Sequence, residues 1–299
     1  MKGVINILKP EGMTSHDVVS FLRKKLNIKR IGHAGTLDPM ATGVLPICIG
    51  KSTRIAEYLL DLDKEYIAEL TLGFQTDTQD SSGQIINTSD KIVDKNAIIN
   101  SMNKFIGNIE QIPPMYSALK HKGKKLYELA REGITIERKS RSITIYNLDI
   151  LQIKDNRNIV FKVKCSKGTY IRTLCNDIGL DLGTFGYMSN LKRTSAGTFK
   201  IENAYNLEYI ESLTLEEIKN ILIPMDDALP HIEKLAIKDK YYSKLINGVK
   251  ILIEKDEYNN IELTEENIYR IYCKNKFIGI GRIIRKESKI LLKMDKVLI

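Results

Sequence analysis

The stretch Gly32-His-Ala-Gly-Thr-Leu-Asp-Pro-Met-Ala-Thr-Gly43 decides how the rest of the chain is read. Gly32, Gly35 and Gly43 permit backbone angles closed to other residues, while Pro39 fixes φ and removes an N–H donor. A segment so rich in Gly and Pro is neither helix nor strand; it reads as a shaped loop serving whatever Asp38 and His33 touch. A lone Asp-Pro most often marks an Asx-turn, in which the carboxylate bonds nearby backbone. Here the loop is long and runs into Val44-Leu-Pro-Ile-Cys-Ile49, which reads as a buried strand. Catalytic groups commonly lie on loops braced by such scaffolding. The loop marks a candidate site without yet naming a chemistry.

Working outward, Thr14-Ser-His-Asp17 reads as a helix start, with Val18, Val19, Leu22 and Leu26 as its apolar stripe. Ser52 is expected to cap a short helix through Leu60. Tyr66-Ile-Ala-Glu-Leu-Thr-Leu72 has strand period, placing Tyr66, Ala68, Leu70 and Leu72 on one face. Thr76–Gly83 reads as polar connection, and Asp94 as the cap of a helix reaching Phe105. Lys125–Arg131 reads as a helix stopped at Gly133. Strands are expected near 141–153 and 159–165, then a helix from Ile171 to about Leu182. Thr214-Leu-Glu-Glu217 resembles a capping box. Beyond Leu235 the pattern changes to a short helix, Lys240–Ile246, and short strands at Ile268–Cys273, Phe277–Ile284 and Ile290–Met294.

The length of 299 residues allows one large domain or two, and 43% hydrophobic residues suffice for a substantial core. The formal charge of +9 points toward a polyanionic partner. Residues 236–299 carry 14 Lys/Arg against 9 Asp/Glu and the remainder 32 against 28, so the basic excess is denser in the tail. Four cysteines without C-x-x-C spacing, and four histidines that do not cluster with them, speak against a structural zinc site. The first ten residues hold too short an apolar run for a signal peptide, and no membrane-spanning stretch follows. A soluble, cytoplasmic protein is expected.

Four more segments carry candidate chemistry. Lys64-Glu-Tyr66 puts an aromatic ring at the start of a strand. Cys165-Ser-Lys-Gly-Thr-Tyr-Ile-Arg-Thr173 puts Tyr170 and Arg172 after a strand-to-helix turn. An arginine at a helix opening opposes the dipole and calls for an anionic partner, for which Asp38 is the candidate. Such a pair would favour the charged carboxylate and lower its pKa. Leu191-Lys-Arg193 sets an apolar side chain beside two phosphate-seeking ones. Lys120 to Lys125 places five cationic or potentially cationic side chains within six residues. Most charge runs are solvated faces; this one can also hold a phosphate backbone.

Taken together and in order, these pieces resemble the bacterial tRNA pseudouridine synthases of the TruB type. The matching stretches are Lys9-Pro-Glu-Gly-Met-Thr-Ser-His-Asp17, the 32–43 loop, Lys64-Glu-Tyr66 and Pro113-Pro-Met-Tyr-Ser-Ala-Leu-Lys120 with Gly123, Tyr127 and Ala130-Arg131. Ser166-Lys-Gly-Thr-Tyr-Ile-Arg172 and Leu191-Lys-Arg-Thr194 complete a set spanning roughly residues 3–200. Lys192 stands where many relatives carry arginine. The tail resembles a PUA RNA-binding domain, chiefly through Phe277-Ile-Gly-Ile-Gly281.

The resemblance implies an α+β fold. A catalytic domain over 1–235, with a mixed, mainly antiparallel central sheet, flanking helices and an RNA-binding insert near 107–139, precedes a small β-rich PUA-like domain over 236–299. It implies isomerisation of uridine 55 in the T arm of tRNA: the N1–C1′ bond breaks, the base turns, and a C5–C1′ bond forms. No cofactor or metal is demanded. Asp38 becomes the catalytic carboxylate, attacking carbon or removing a sugar proton. Tyr66 lies against the flipped uracil, where stacking is worth about 1–3 kcal/mol per base, and its hydroxyl assists proton loss from C5. Arg172 supports Asp38, Tyr170 and Leu191 close the pocket, and His33 contacts the nucleotide. Lys120, Lys122, Lys124, Lys192, Arg193 and the tail are the expected RNA contacts, made by a monomer. The rival from another class is a non-catalytic RNA-binding protein or tRNA folding chaperone on the same scaffold. A guide-RNA-dependent synthase would share the catalytic loop, but the basic insert resembles the stand-alone type.

Overall fold

The structure, a computed structural model, describes residues 1–253, 263–286 and 289–299. The first half runs β1 (Gly3–Lys9), α1 (Ser15–Leu26), β2 (Ile31–His33), β3 (Thr42–Ile49), α2 (Ala56–Leu60), β4 (Lys64–Leu72), β5 (Phe74–Thr76), β6 (Ile85–Thr88) and α3 (Lys95–Asn103). An insert follows with β7 (Gly107–Gln111), β8 (Lys120–His121), β9 (Lys124–Lys125) and α4 (Leu126–Arg131). Then come β10 (Arg141–Lys154), β11 (Asn158–Cys165), α5 (Ile171–Asp181), β12 (Gly186–Ala196), β13 (Phe199–Lys200), α6 (Leu207–Ser212) and α7 (Leu215–Asn220). The tail holds β14 (Glu233–Ala236), α8 (Tyr242–Ile246), β15 (Ile251–Ile253), β16 (Ile268–Cys273), β17 (Lys276–Lys286) and β18 (Lys289–Val297).

The central sheet has the order β1-β3-β12-β4-β11-β10-β7, with β2 beside β3 and β13 beside β12. β4 alternates as its sequence requires, burying Tyr66, Ala68, Leu70 and Leu72. That face packs on Leu174 and Ile178 of α5 and on Ile98 and Met102 of α3. Thr14 and Asp17 form the capping box that starts α1, and its stripe Val18, Val19 and Leu22 meets Ile5, Ile7, Leu45 and Ile47. Mixed α/β layering about a mainly antiparallel sheet is thus what the chain adopts.

The pairing that builds the site is between β3 and β12. It is parallel and short, matching Lys192 with Thr42 and Arg193 with Gly43, while β12 runs antiparallel to β4. The approach is so close that a Cβ on Gly43 would collide with the Arg193 backbone, and Gly43 sits at φ +108°. Gly43→Ala is therefore expected to cost about 2–4 kcal/mol from left-handed strain plus overpacking, read as a lowered denaturation midpoint. An unchanged midpoint would mean that the two strands do not depend on this contact.

One local reading is corrected and two gain detail. Ser52 does not cap a helix: Gly50–Ile55 is a 3₁₀ segment before α2, and the Ser52 hydroxyl is buried without a partner. Thr76–Gly83 is a polar connection, but one buried at Thr76, Thr78 and Asp80. The β-rich unit begins before 236, because Glu233–Ala236 pairs parallel with β16. Its five strands run β14-β16-β17-β18-β15 and dock on the larger unit. Ile280 and Leu298 pack with Val4, Val44 and Ile55, and Arg270 donates to the Asp226 carbonyl at 2.9 Å.

Candidate active site

The Asp38 loop leaves β2 and enters β3 with most of its carbonyls held by side chains from elsewhere. Lys9, fully buried, donates to Pro39 at 3.2 Å and Ala41 at 2.7 Å. Ser15 accepts from the Leu37 N–H at 2.8 Å. Arg193 donates from Nε to Val44 at 2.7 Å and from Nη2 to Gly35 at 3.1 Å, with Nη1 at 3.5 Å from the Thr36 carbonyl. A loop satisfied in this way has little freedom, so Asp38 is presented in one orientation.

Asp38 meets Arg172 from α5, Nε to Oδ2 at 3.1 Å. The same guanidinium reaches Asp80 Oδ2 at 3.3 Å, the Thr78 carbonyl at 3.2 Å and the Tyr116 carbonyl at 2.7 Å. Asp80 Oδ1 accepts from the Thr78 hydroxyl at 2.6 Å and the Ser82 N–H at 3.0 Å. One arginine is thus forked between two aspartates and anchored on the insert through Tyr116. Arg172 and Asp80 are nearly sealed, with 7% and 5% of their side chains exposed, whereas Asp38 keeps 33% open. Asp38 is the member of the trio that a ligand can reach.

The electrostatics differ from the expectation in sign. Burial raises the Asp38 carboxyl above the usual aspartate range; Arg172 pulls it back, Asp80 pushes it further, and Lys9 opposes. In the sequence only the arginine is visible. Here the carboxylate lies within enough protein for desolvation to dominate, although a third of its surface stays open. Burial also drives Lys9 down to about 8, with Asp38 working against the shift.

Tyr66 and Leu191 converge beside the Asp38 loop, and Tyr170 lies within electrostatic reach of Asp38 and Arg172. Tyr66 and Leu191 are buried and share an apolar cluster with Leu37 and Ala41 of the loop. Burial pushes the Tyr66 phenol up to about 12, although the Arg193 charge works against the shift. Tyr170 precedes α5, held by Gln111, whose side-chain amide oxygen accepts from the Tyr170 N–H at 2.8 Å. Its phenol is raised by burial, with Arg172 lowering it and Asp38 raising it. His33 lies on β2 with Nδ1 buried and unpaired; burial, then Arg193, lowers its pKa, favouring the neutral ring.

The basic residues divide. Lys192 is exposed, and Lys120, Lys122 and Lys124 are exposed on the β8–β9 hairpin, whose tip has positive φ at Lys122 and Gly123. The hairpin lies outside the Asp38 cluster and stands on its own small core of Met115, Leu126 and Leu129. Arg193 is corrected: it is 1% exposed and its donors go to loop carbonyls, leaving no free face for RNA phosphate. Among the described residues, no group of three His, Cys, Asp or Glu is placed to hold a metal. No described helix is long and apolar enough to cross a membrane.

Comparison with known proteins meets this geometry from the other side. Residues 23–171 match the N-terminal domain model of the TruB family pseudouridylate synthases, and residues 172–230 match the tRNA pseudouridylate synthase B C-terminal domain. The chain is 49% identical over 293 residues to tRNA pseudouridine synthase B of Alkaliphilus oremlandii, covering 96% of this chain and 95% of that one. It is 51% identical over 282 residues to the protein of the same name from Clostridium kluyveri, covering 94% and 95%. Among solved structures it is similar to a chain of an H/ACA RNP bound to a substrate RNA containing 2'-deoxyuridine, at TM-score 0.74 and 28% identity, covering 99% of this chain and 85% of that one. A chain of a Cbf5-Nop10-Gar1 complex gives 0.77 and 30% over the same shares. With both halves of the family model matched and near-complete relatives at about half identity, the chain belongs to the TruB family of pseudouridylate synthases.

Proposed function

We propose that this enzyme converts uridine 55 in the T arm of tRNA to pseudouridine, with Asp38 as the catalytic carboxylate. The observation that carries the reading is the Asp38–Arg172 contact of 3.1 Å beside Tyr66 and Leu191. Isomerisation needs an ionised carboxylate at the sugar and walls that keep the detached uracil from leaving. Arg172 favours the ionised form, and Tyr66 and Leu191 supply an apolar wall on which a flipped base can stack. His33 is assigned to nucleotide contact, and Tyr170 to closing the pocket and positioning the base.

A tRNA substrate is supported by the shared name of the relatives, and the T arm by the match of the motif series to the stand-alone type. Recognition of such an arm follows RNA shape and splayed loop bases. The β8–β9 hairpin and Lys192 are assigned to the phosphate backbone, and the tail acts as a PUA-like RNA contact. A purely RNA-binding role is disfavoured, because a carboxylate left one-third open beside a polyanion weakens binding unless chemistry uses it. We take the enzyme to act as a monomer in the cytoplasm.

A T-arm stem-loop transcript should suffice as substrate, with product only at the position equivalent to 55. Replacing that uridine with cytidine should leave no product; pseudouridine elsewhere in the loop would contradict the assignment. Neutralising Lys120, Lys122 and Lys124 to Gln should weaken binding and flatten its salt dependence by roughly 0.7–0.9 log units per lost phosphate contact. The rate at saturating RNA should hold. A salt slope equal to wild type would remove the hairpin from the interface.

A further inference from the structure

We propose that Arg193 is a positioning residue for the isomerisation: it fixes the spacing between the Asp38 loop and the Tyr66 phenol, and so governs turnover rather than binding. The inference rests on the functional reading above and adds a residue to it. Arg193 lies where three strands meet, its backbone paired with Gly43 on one side and Tyr66 on the other. Its side chain turns back over the same junction. Nε and Nη2 hold Val44 and Gly35, residues that bracket Asp38, at 2.7 and 3.1 Å, and the guanidinium charge bears on the phenol of Tyr66, the residue opposite it across β12 and β4. Gly35 sits at φ +113°, a conformation strained for any L side chain, so the loop takes this path past the guanidinium only with glycine there.

Two features mark this as more than bracing. Arg193 is 1% exposed, yet among the described residues no carboxylate pairs with it. A buried charge offset only by carbonyls is costly, and a fold that needed only a filled site would be better served by an apolar side chain. Direction is the second feature. A guanidinium donates and never accepts, so the Tyr66 O–H cannot be directed at Arg193 and is turned elsewhere. One planar fork thus sets where the carboxylate loop begins and ends and how the stacking ring's hydroxyl turns. Lysine, with a compact ammonium, cannot span these partners at once.

The test is a double-mutant cycle on single-turnover rate constants, using Arg193→Lys, Tyr66→Phe and the double variant, with a T-arm transcript and Kd measured for each. Arg193→Lys should slow turnover on the order of 100-fold, as misplacement of reacting groups does, with Kd within about threefold of wild type. In the Tyr66→Phe background the same substitution should cost markedly less, because the phenol it acts through is gone. Additive effects, an unchanged rate, or loss of binding in step with rate would overturn the proposal. So would an Arg193→Lys protein that cannot fold, which would make the residue structural. A wild-type protein that forms no pseudouridine would instead defeat the functional reading itself.

Discussion

Asp38→Asn should form no detectable pseudouridine while binding the T arm within several-fold of wild type and melting at the same temperature or higher. The loss of activity follows because an amide cannot carry the charge the chemistry uses. The stability result follows from linkage. Burial raises the Asp38 pKa in the folded chain, so the unfolded chain ionises this group more readily. Below the ordinary aspartate pKa both states are protonated and the group costs nothing. As pH rises from there through the raised folded value, stability falls, and the cost persists at neutral pH. Asn removes that cost, and Arg172 keeps Asp80 at 3.3 Å. The gain should vanish when melting is repeated near pH 3. Sites that trade stability for chemistry behave this way. A variant that melts far below wild type at pH 7 would instead place Asp38 among the structural aspartates.

Arg172→Met should give the second large effect and the opposite stability. Removing the shared guanidinium leaves Asp38 and Asp80 facing each other with only Lys9 nearby, and strips the Thr78 and Tyr116 carbonyls of a donor. Breaking a buried ion pair from one side costs about 3–5 kcal/mol. With its main counter-charge gone, Asp38 should titrate higher, so the acid limb of the pH–rate profile should move upward. Raising the pH should then recover part of the rate. Adding Asp80→Asn should recover stability more than rate. A profile with the wild-type acid limb would show that Arg172 does not act on the ionisation of the catalytic group.

Much of the site was legible in the sequence because its signals are local. The glycines and Pro39 announce the loop, and an arginine against a helix dipole asks for an acid. Asp80 gave no such signal. Thr76–Gly83 around it reads as polar connection, and only the tertiary fold brings Arg172 onto it. β12 stayed hidden because register shifts at Met188/Asn190 and Arg193/Ser195 interrupt the two-residue alternation. Without the strand, Leu191-Lys-Arg193 reads as an apolar side chain beside two phosphate-seeking ones, and Arg193 as an RNA contact. The direction of the Asp38 shift was out of reach for the same reason, since desolvation is a property of the packed chain. The helix caps at Thr14, Asp94 and Thr214 were readable because capping depends on three or four consecutive residues.

The central claim is that one reachable carboxylate, held by a sealed arginine, turns a uridine in its RNA. The most direct measurement sets wild type beside Asp38→Asn, each in excess over an unmodified tRNA transcript, with pseudouridine mapped by position over time. Wild type should convert a single T-loop uridine to completion, and the variant should convert none while retaining the bound RNA. Pseudouridine appearing at that position with the variant, at any rate above the no-enzyme control, would contradict the assignment.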